Sequence, residues 1–202
     1  MLKSVLKFVF DNIGNPLSSK KISDTMTSLG RKINSRTVEK YLEAFSESYI
    51  IYPAKRYNIK GKEYLKSLEK YYIVDIGLRN FLLGFRNRDS GHAIENVVYF
   101  ELLRRGYDVA IGKADNREVD FVATKMDDRL YVQVTESMVS EDTRRRELAP
   151  LQKISDNYEK IVLSLEPGLD SSYEGIKSIS LISWLVGGRD QKHLKKKKYL
   201  HL

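Results

Sequence analysis

Apolar side chains at Leu2, Val5, Leu6, Val9 and Ile13 recur at the spacing of one helical face. The pattern stops in the breaker cluster Asn12-Ile13-Gly14-Asn15-Pro16. Ser18 or Ser19 is placed to cap a second helix with Ile22, Met26 and Leu29 as its apolar stripe, ended by Gly30. Asn34 or Ser35 opens a third, with Val38, Tyr41, Leu42 and Phe45 on one side and Arg36, Glu39, Lys40 and Glu43 on the other. Tyr49-Ile50-Ile51-Tyr52 and Tyr71-Tyr72-Ile73-Val74 read as strands around a turn at Lys60-Gly61-Lys62. Three helices and a ribbon describe a winged helix, or else a small bundle with a packing hairpin.

A short amphipathic helix through Leu78, Leu82 and Leu83 closes at Gly84, after which the pattern changes. It predicts a helix over 92–105, strands over 107–112, 118–123 and 130–134, a helix over 141–157, a strand over 160–165 and another over 176–182. The resulting division is a winged-helix-like basic module at 1–74, a linker helix at 75–90, an α-β-β-β-α-β domain at 91–188 and a basic tail at 189–202. The fold class expected is therefore mixed, α+β shading into α/β.

Charge sharpens this picture. Residues 1–70 hold 14 Lys/Arg against 7 Asp/Glu, the middle of the chain is acidic, and the tail is basic again, for a net charge of +8. Separated like charge suits a polyanion partner, and a Lys-rich solvated surface gives the same tally. A nucleic-acid reading assigns contacts to Arg36 and Lys40 on the third helix and to Lys55, Arg56, Lys60 and Lys62 on the ribbon, interleaved with Tyr52, Tyr57 and Tyr64. A protein partner is the alternative.

The absence of Cys removes disulfides, thiolate catalysis and zinc fingers, and a reducing cytoplasm is the compartment expected. Lys7 and Asp11 interrupt the apolar opening too early for a signal peptide, and no later run approaches membrane-spanning length. Lys62 is followed by Glu63 and Lys113 by Ala114, so neither Gly-Lys pair continues into the Ser or Thr of a P-loop, and no ATPase site is expected. His92, His193 and His201 show no metal-ligand spacing.

What remains is a set of carboxylates. Glu95 falls on the helix of the α/β region, Glu118 and Asp120 on the strand REVDFVA, and Gln133 on the next strand, YVQVTES. Strict alternation puts Glu118 and Asp120 on one face and Val119, Phe121 and Ala123 on the other. Carboxylates converging on a cleft between strands are how a protein holds magnesium for phosphodiester cleavage.

This order resembles the PD-(D/E)xK nuclease superfamily. The resemblance implies a restriction-endonuclease-like fold, with Glu95 and Asp120 as metal ligands and magnesium or manganese as the cofactor of an active member. Gln133 then stands where a second strand carboxylate belongs, and Thr135 stands in place of the Lys that stabilises phosphate charge. The catalytic set Glu95, Asp120 and Gln133 is thus degenerate. A working nuclease would need a migrated cation, for which Lys113 and Lys125 are candidates. FDNIGNPLSSKKISD, KRYNIKGKEYLKSLEKYYIVDIGLRN and GHAIENVVYFELLRRGYDV extend the likeness over nearly the whole chain, which is similar to the C-terminal half of the archaeal-type ATPases of the prokaryotic AAA+ group. The resemblance implies a nucleic-acid-associated or protein-interaction module with a silent nuclease-like domain, the alternative being a metal-dependent DNA nuclease.

Overall fold

The computed structural model describes residues 1–66, 68–85, 90–166 and 171–187. The three predicted N-terminal helices form where their caps place them: α1 (Leu2–Asp11), α2 (Ser19–Ser28) and α3 (Ser35–Glu47). The Ser18 side chain accepts from the Lys21 N–H and the Asn34 side chain from the Thr37 N–H, satisfying donors that the first helical turn leaves open. Their apolar stripes converge in one core containing Val9, Phe10, Ile22, Val38 and Phe45.

Strands β1 (Ile51–Ala54) and β4 (Lys70–Ile73) pair antiparallel as a two-stranded ribbon, Tyr52 opposite Tyr72. All four residues of β4 are buried because its two faces serve different cores. Tyr71 and Ile73 pack on the helices, whereas Tyr72 points the other way, stacking on Tyr99 at 4.2 Å between ring centroids. A residue two positions from Tyr72 shares its face, and that residue is Lys70.

Between β1 and β4 the chain leaves the ribbon. Residues 56–64, expected as the tip of a wing, form β2 (Arg56–Asn58) and β3 (Glu63–Tyr64), and β2 pairs in parallel with β5 (Asp108–Ala114). This corrects the sequence reading, since strands from both sides of the 75–90 segment share one sheet. Its physical reason is that Tyr57 and Ile59 are buried with Ala110 and Val122 in a core far along the chain, and that pairing leaves no local trace.

Helix α4 (Ile76–Leu83) is capped by Asp75, whose side chain accepts from the Gly77 N–H. Then follow α5 (Ser90–Arg104), β5, β6 (Arg117–Lys125), β7 (Asp128–Thr135), α6 (Glu141–Gln152), β8 (Glu159–Ser164), β9 (Ser171–Tyr173) and β10 (Ile176–Ser180). Helix α6 stops five residues short of the expected 157, and the run expected as a strand to 182 ends at 180, with residues 181–187 helical. The eight strands run in the order β3-β2-β5-β6-β7-β8-β10-β9, with β5, β6 and β7 antiparallel and β7, β8 and β10 parallel. The protein is thus a mixed α and β fold around an eight-stranded mixed sheet.

Helix α5 covers one face through Val98 and Leu102 on Phe121 and Val132, and α6 covers the other through Leu148 and Leu151 with Val122 and Val162. Burying each such side chain contributes about 1.5–3 kcal/mol, so the sheet is anchored from both faces. No helix among the described residues is long and apolar enough to cross a membrane. The basic tail at 189–202, with His193 and His201, lies outside the described residues.

Candidate functional site

The site forms where β6 and β7 part. Their ladder runs from Lys125 opposite Asp128 to Phe121 opposite Val132 and goes no further; beyond it β6 pairs with β5 and β7 with β8. Asp120 and Gln133 stand at the opening of this fork. The Asp120 carboxylate accepts the Val134 N–H at 2.7 Å, taking the place of a strand partner.

A bulge aims this residue. Ala110 is opposite Val122 but Gly112 is opposite Val119, so Asp120 and Phe121 together face the single Ile111. Strict alternation fails here. Val119 packs with Val122 on the α6 side, while Phe121 and Ala123 lie on the α5 side, the side on which Glu118 reaches Lys70. The expectation that Val119, Phe121 and Ala123 share one face is therefore corrected.

Glu95 is brought in by α5, which is pinned to β4 through Asn96: its side-chain oxygen accepts the Ile73 N–H and its amide donates to the Ile73 carbonyl, both at 2.9 Å. Over the fork Glu95 Oε1 accepts the Tyr72 hydroxyl at 2.6 Å and the Lys70 ammonium at 3.1 Å. Lys70 also pairs with Glu118 at 2.7 Å, with its own side chain only 4% exposed. One buried cation thus joins Glu95 to Glu118, and Asp120 adds to the field upon it. Burial opposes the charge on Lys70, but these three carboxylates outweigh it and hold the ammonium protonated well above its ordinary range. The Tyr72 hydroxyl is likewise pushed up, first by burial and then by Glu95.

Gln133 and Thr135 are built into the fold. The Gln133 amide donates to Glu147 on α6 at 3.1 Å, and its oxygen faces the Asp120 N–H at 3.4 Å. Thr135 donates its hydroxyl to the Ser137 carbonyl. Arg146 in turn pairs with Glu147 at 2.8 Å. Glu95 Oε1 and Asp120 Oδ2 accept protein donors, and the Lys70 ammonium between Glu95 and Glu118 supplies the positive charge of the cluster from within the fold. Among the described residues no three His, Asp or Glu side chains are grouped to hold a metal.

The structure thus brings Glu95, Asp120 and Gln133 into one neighbourhood and adds Lys70, Tyr72, Glu118 and Glu147. Neither candidate for a migrated cation supplies the central charge. Lys125 lies at the far end of β6, donating to the Arg105 carbonyl, and Lys113 sits on β5 opposite Glu118. The only sequence signal for Lys70 was its place two residues before Tyr72 at the head of a buried aromatic strand. Gly14, at φ +70°, lies close against α5: a Cβ there would stand 2.9 Å from His92 Nδ1 and 3.4 Å from Glu95 Oε2.

The cations assigned to nucleic acid fall in two places. Arg36 and Lys40 are exposed on α3. Lys55, Lys60 and Lys62 are exposed along the β2–β3 hairpin, on the edge of the large sheet and not on the helix-packed ribbon. Arg56 is half-buried, with its Nε enclosed and without a hydrogen-bond partner among the described residues.

Asp120 provides a pH test of this geometry. Its carboxyl is raised above its ordinary range, first by burial and next by Glu95, against the opposing pull of Lys70 and the Val134 N–H. The folded protein therefore binds a proton more readily here than the unfolded chain does. The contribution of Asp120 to stability rises as pH falls through its folded value and levels off below its ordinary one. Asp120→Asn keeps the acceptor without the charge, and is expected to raise neutral-pH stability by about 1 kcal/mol, or roughly 2–4 °C in Tm. The gain should shrink on acidification. Melting curves at neutral and mildly acidic pH check this, and a variant less stable than the parent at neutral pH would refute it.

Residues 1–89 match a protein family described as "Domain of unknown function (DUF8612)". The chain is 41% identical over 186 residues to an uncharacterized protein of Haemophilus influenzae, a match covering 92% of this chain and 46% of that protein. It is 32% identical over 154 residues to an uncharacterized protein of Methanocaldococcus jannaschii, covering 74% of this chain and 34% of that protein. No solved structure matches. The chain spans less than half the length of either of these curated relatives, and its similarity to both extends well beyond the residues that the family matches.

Proposed function

We propose that this chain is a nucleic-acid-associated module, similar to the C-terminal region of AAA+ type ATPases, whose nuclease-like centre is silent. One observation carries the reading: the buried Lys70 ammonium sits between Glu95 and Glu118 and beside Asp120, neutralising from within the carboxylates that a nuclease would turn to a metal. The bulged strand and the fork at which Asp120 stands support a nuclease-like ancestry, and α1–α3 with the β1–β4 ribbon support a winged-helix reading of the first part. A second reading, a metal-dependent nuclease, draws on the same Lys70, which would supply the positive charge that Thr135 lacks.

Nucleic-acid association draws on the exposed cations of the β2–β3 hairpin. Lys60 and Lys62 flank its turn with no carboxylate paired to either among the described residues. Each phosphate that a Lys neutralises contributes roughly −0.9 to the slope of log affinity against log salt. Lys60→Ala with Lys62→Ala is therefore expected to flatten the slope for a duplex oligonucleotide by about 1.8 and leave the melting curve unchanged. Absence of binding at low salt would remove the nucleic-acid reading and leave a protein partner, whereas binding with an unaltered slope would take the phosphate contacts away from this hairpin.

A further inference from the structure

We propose that the groove between α3 and the chain entering β4 is a docking site for a basic, amphipathic segment of a partner protein. The groove encloses about 510 Å³. Pro53 and Leu68, both exposed, form its apolar lining together with Leu42, Tyr71 and Leu17, the last held to Glu69 by a backbone bridge.

Charge identifies the occupant. Residues 1–70 carry seven carboxylates, and four of them, Glu39, Glu43, Glu47 and Glu69, line this groove; of the fourteen cations in the same residues only Lys66 does. Glu39, Glu43 and Glu47 are spaced four apart and form one stripe along α3. Among the described residues Glu39 and Glu69 take neutral partners, the hydroxyls of Ser19 and Tyr71, so their charge is not cancelled by a Lys or Arg. A module with a net charge of +7 thus gathers most of its negative charge around an apolar slot.

That combination repels nucleic acid and complements a helix with apolar anchors at i, i+3, i+4 and i+7 flanked by Lys or Arg. It also bears on α3 itself, whose Arg36 and Lys40 share the helix with the acidic stripe. The groove and the hairpin cations are separate surfaces for partners of opposite charge.

The test uses the full chain and two fluorescent peptides of about 15 residues, roughly four helical turns, with identical Leu positions and either Lys or Glu at the flanks. Fluorescence anisotropy is expected to show saturable binding of the Lys-flanked peptide, with the Glu-flanked peptide at least roughly tenfold weaker. Glu43→Lys with Glu47→Lys, both exposed, is expected to weaken the Lys-flanked peptide by a similar factor without moving the melting curve. Equal binding of both peptides, indifference to the charge reversal, or no binding of either would overturn the proposal. Self-association of the parent chain that disappears in the charge-reversed variant would also overturn it, by assigning the groove to a second copy.

Discussion

Lys70→Ala is expected to destabilise the folded protein by about 3–5 kcal/mol, because removing one member of a buried ion pair leaves the others charged and uncompensated. For a chain of this length the loss corresponds to a fall in Tm of roughly 6–20 °C. The side chains left behind are Glu95, 11% exposed, and Glu118, 33% exposed, so the greater part of the penalty falls on Glu95. Adding Glu95→Gln removes that stranded charge. The double variant should recover part of the loss, and the two single effects should not add. Urea denaturation of the four proteins measures this coupling. A single-variant loss below about 1 kcal/mol, the range of an exposed pair, would mean that Lys70 is not the counter-ion the site depends on.

Gly112→Ala is expected to be the next most damaging change, at about 1–3 kcal/mol for overpacking a closed core. A Cβ at this position would stand 2.9 Å from both Val119 Cβ and Val122 Cγ2 and 3.1 Å from Ile59 Cδ1. The crowding falls on the β5–β6 bulge, so β6 must shift where it presents Asp120. Loss of protection at the Val134 amide, which Asp120 holds, should therefore exceed that of amides in the regular ladder from Phe121 to Lys125. Uniform loss across β6 and β7 would show only global destabilisation and detach the bulge from the site.

The legible part of this fold is the local part. Caps at Ser18, Asn34 and Asp75, apolar stripes of period 3.6, and the run of strands after residue 107 are properties of neighbouring residues, and the elements appear where those residues put them. Two departures from the sequence reading arise in strand pairing, one between segments far apart in the chain and one inside the β5–β6 hairpin. The position of the β2–β3 hairpin after the helices predicts a wing, yet Tyr57 and Ile59 find their burial against β5 and β6. An unbroken pleat predicts the faces of β6 by simple alternation, and the bulge opposite Ile111 resets that alternation.

The candidate site shows the same division. Glu95, Asp120 and Gln133 were visible as residue types on predicted elements. Proximity in sequence to the carboxylates points to Lys113 and Lys125 for the cation, and it comes instead from β4, 25 residues before Glu95. A Lys at the head of an aromatic strand reads as a strand boundary. Only the double-sided burial of β4 turns it inward.

Whether the nuclease-like centre is silent is tested most directly by a cleavage assay on supercoiled plasmid with the full chain, in magnesium and separately in manganese, at protein concentrations high enough to retard the DNA. The DNA is expected to be bound and to remain supercoiled, with no nicking above that of Glu95→Ala and Asp120→Ala controls. Metal-dependent nicking by the parent chain that vanishes in both controls would contradict this, and would make Lys70 part of a working nuclease.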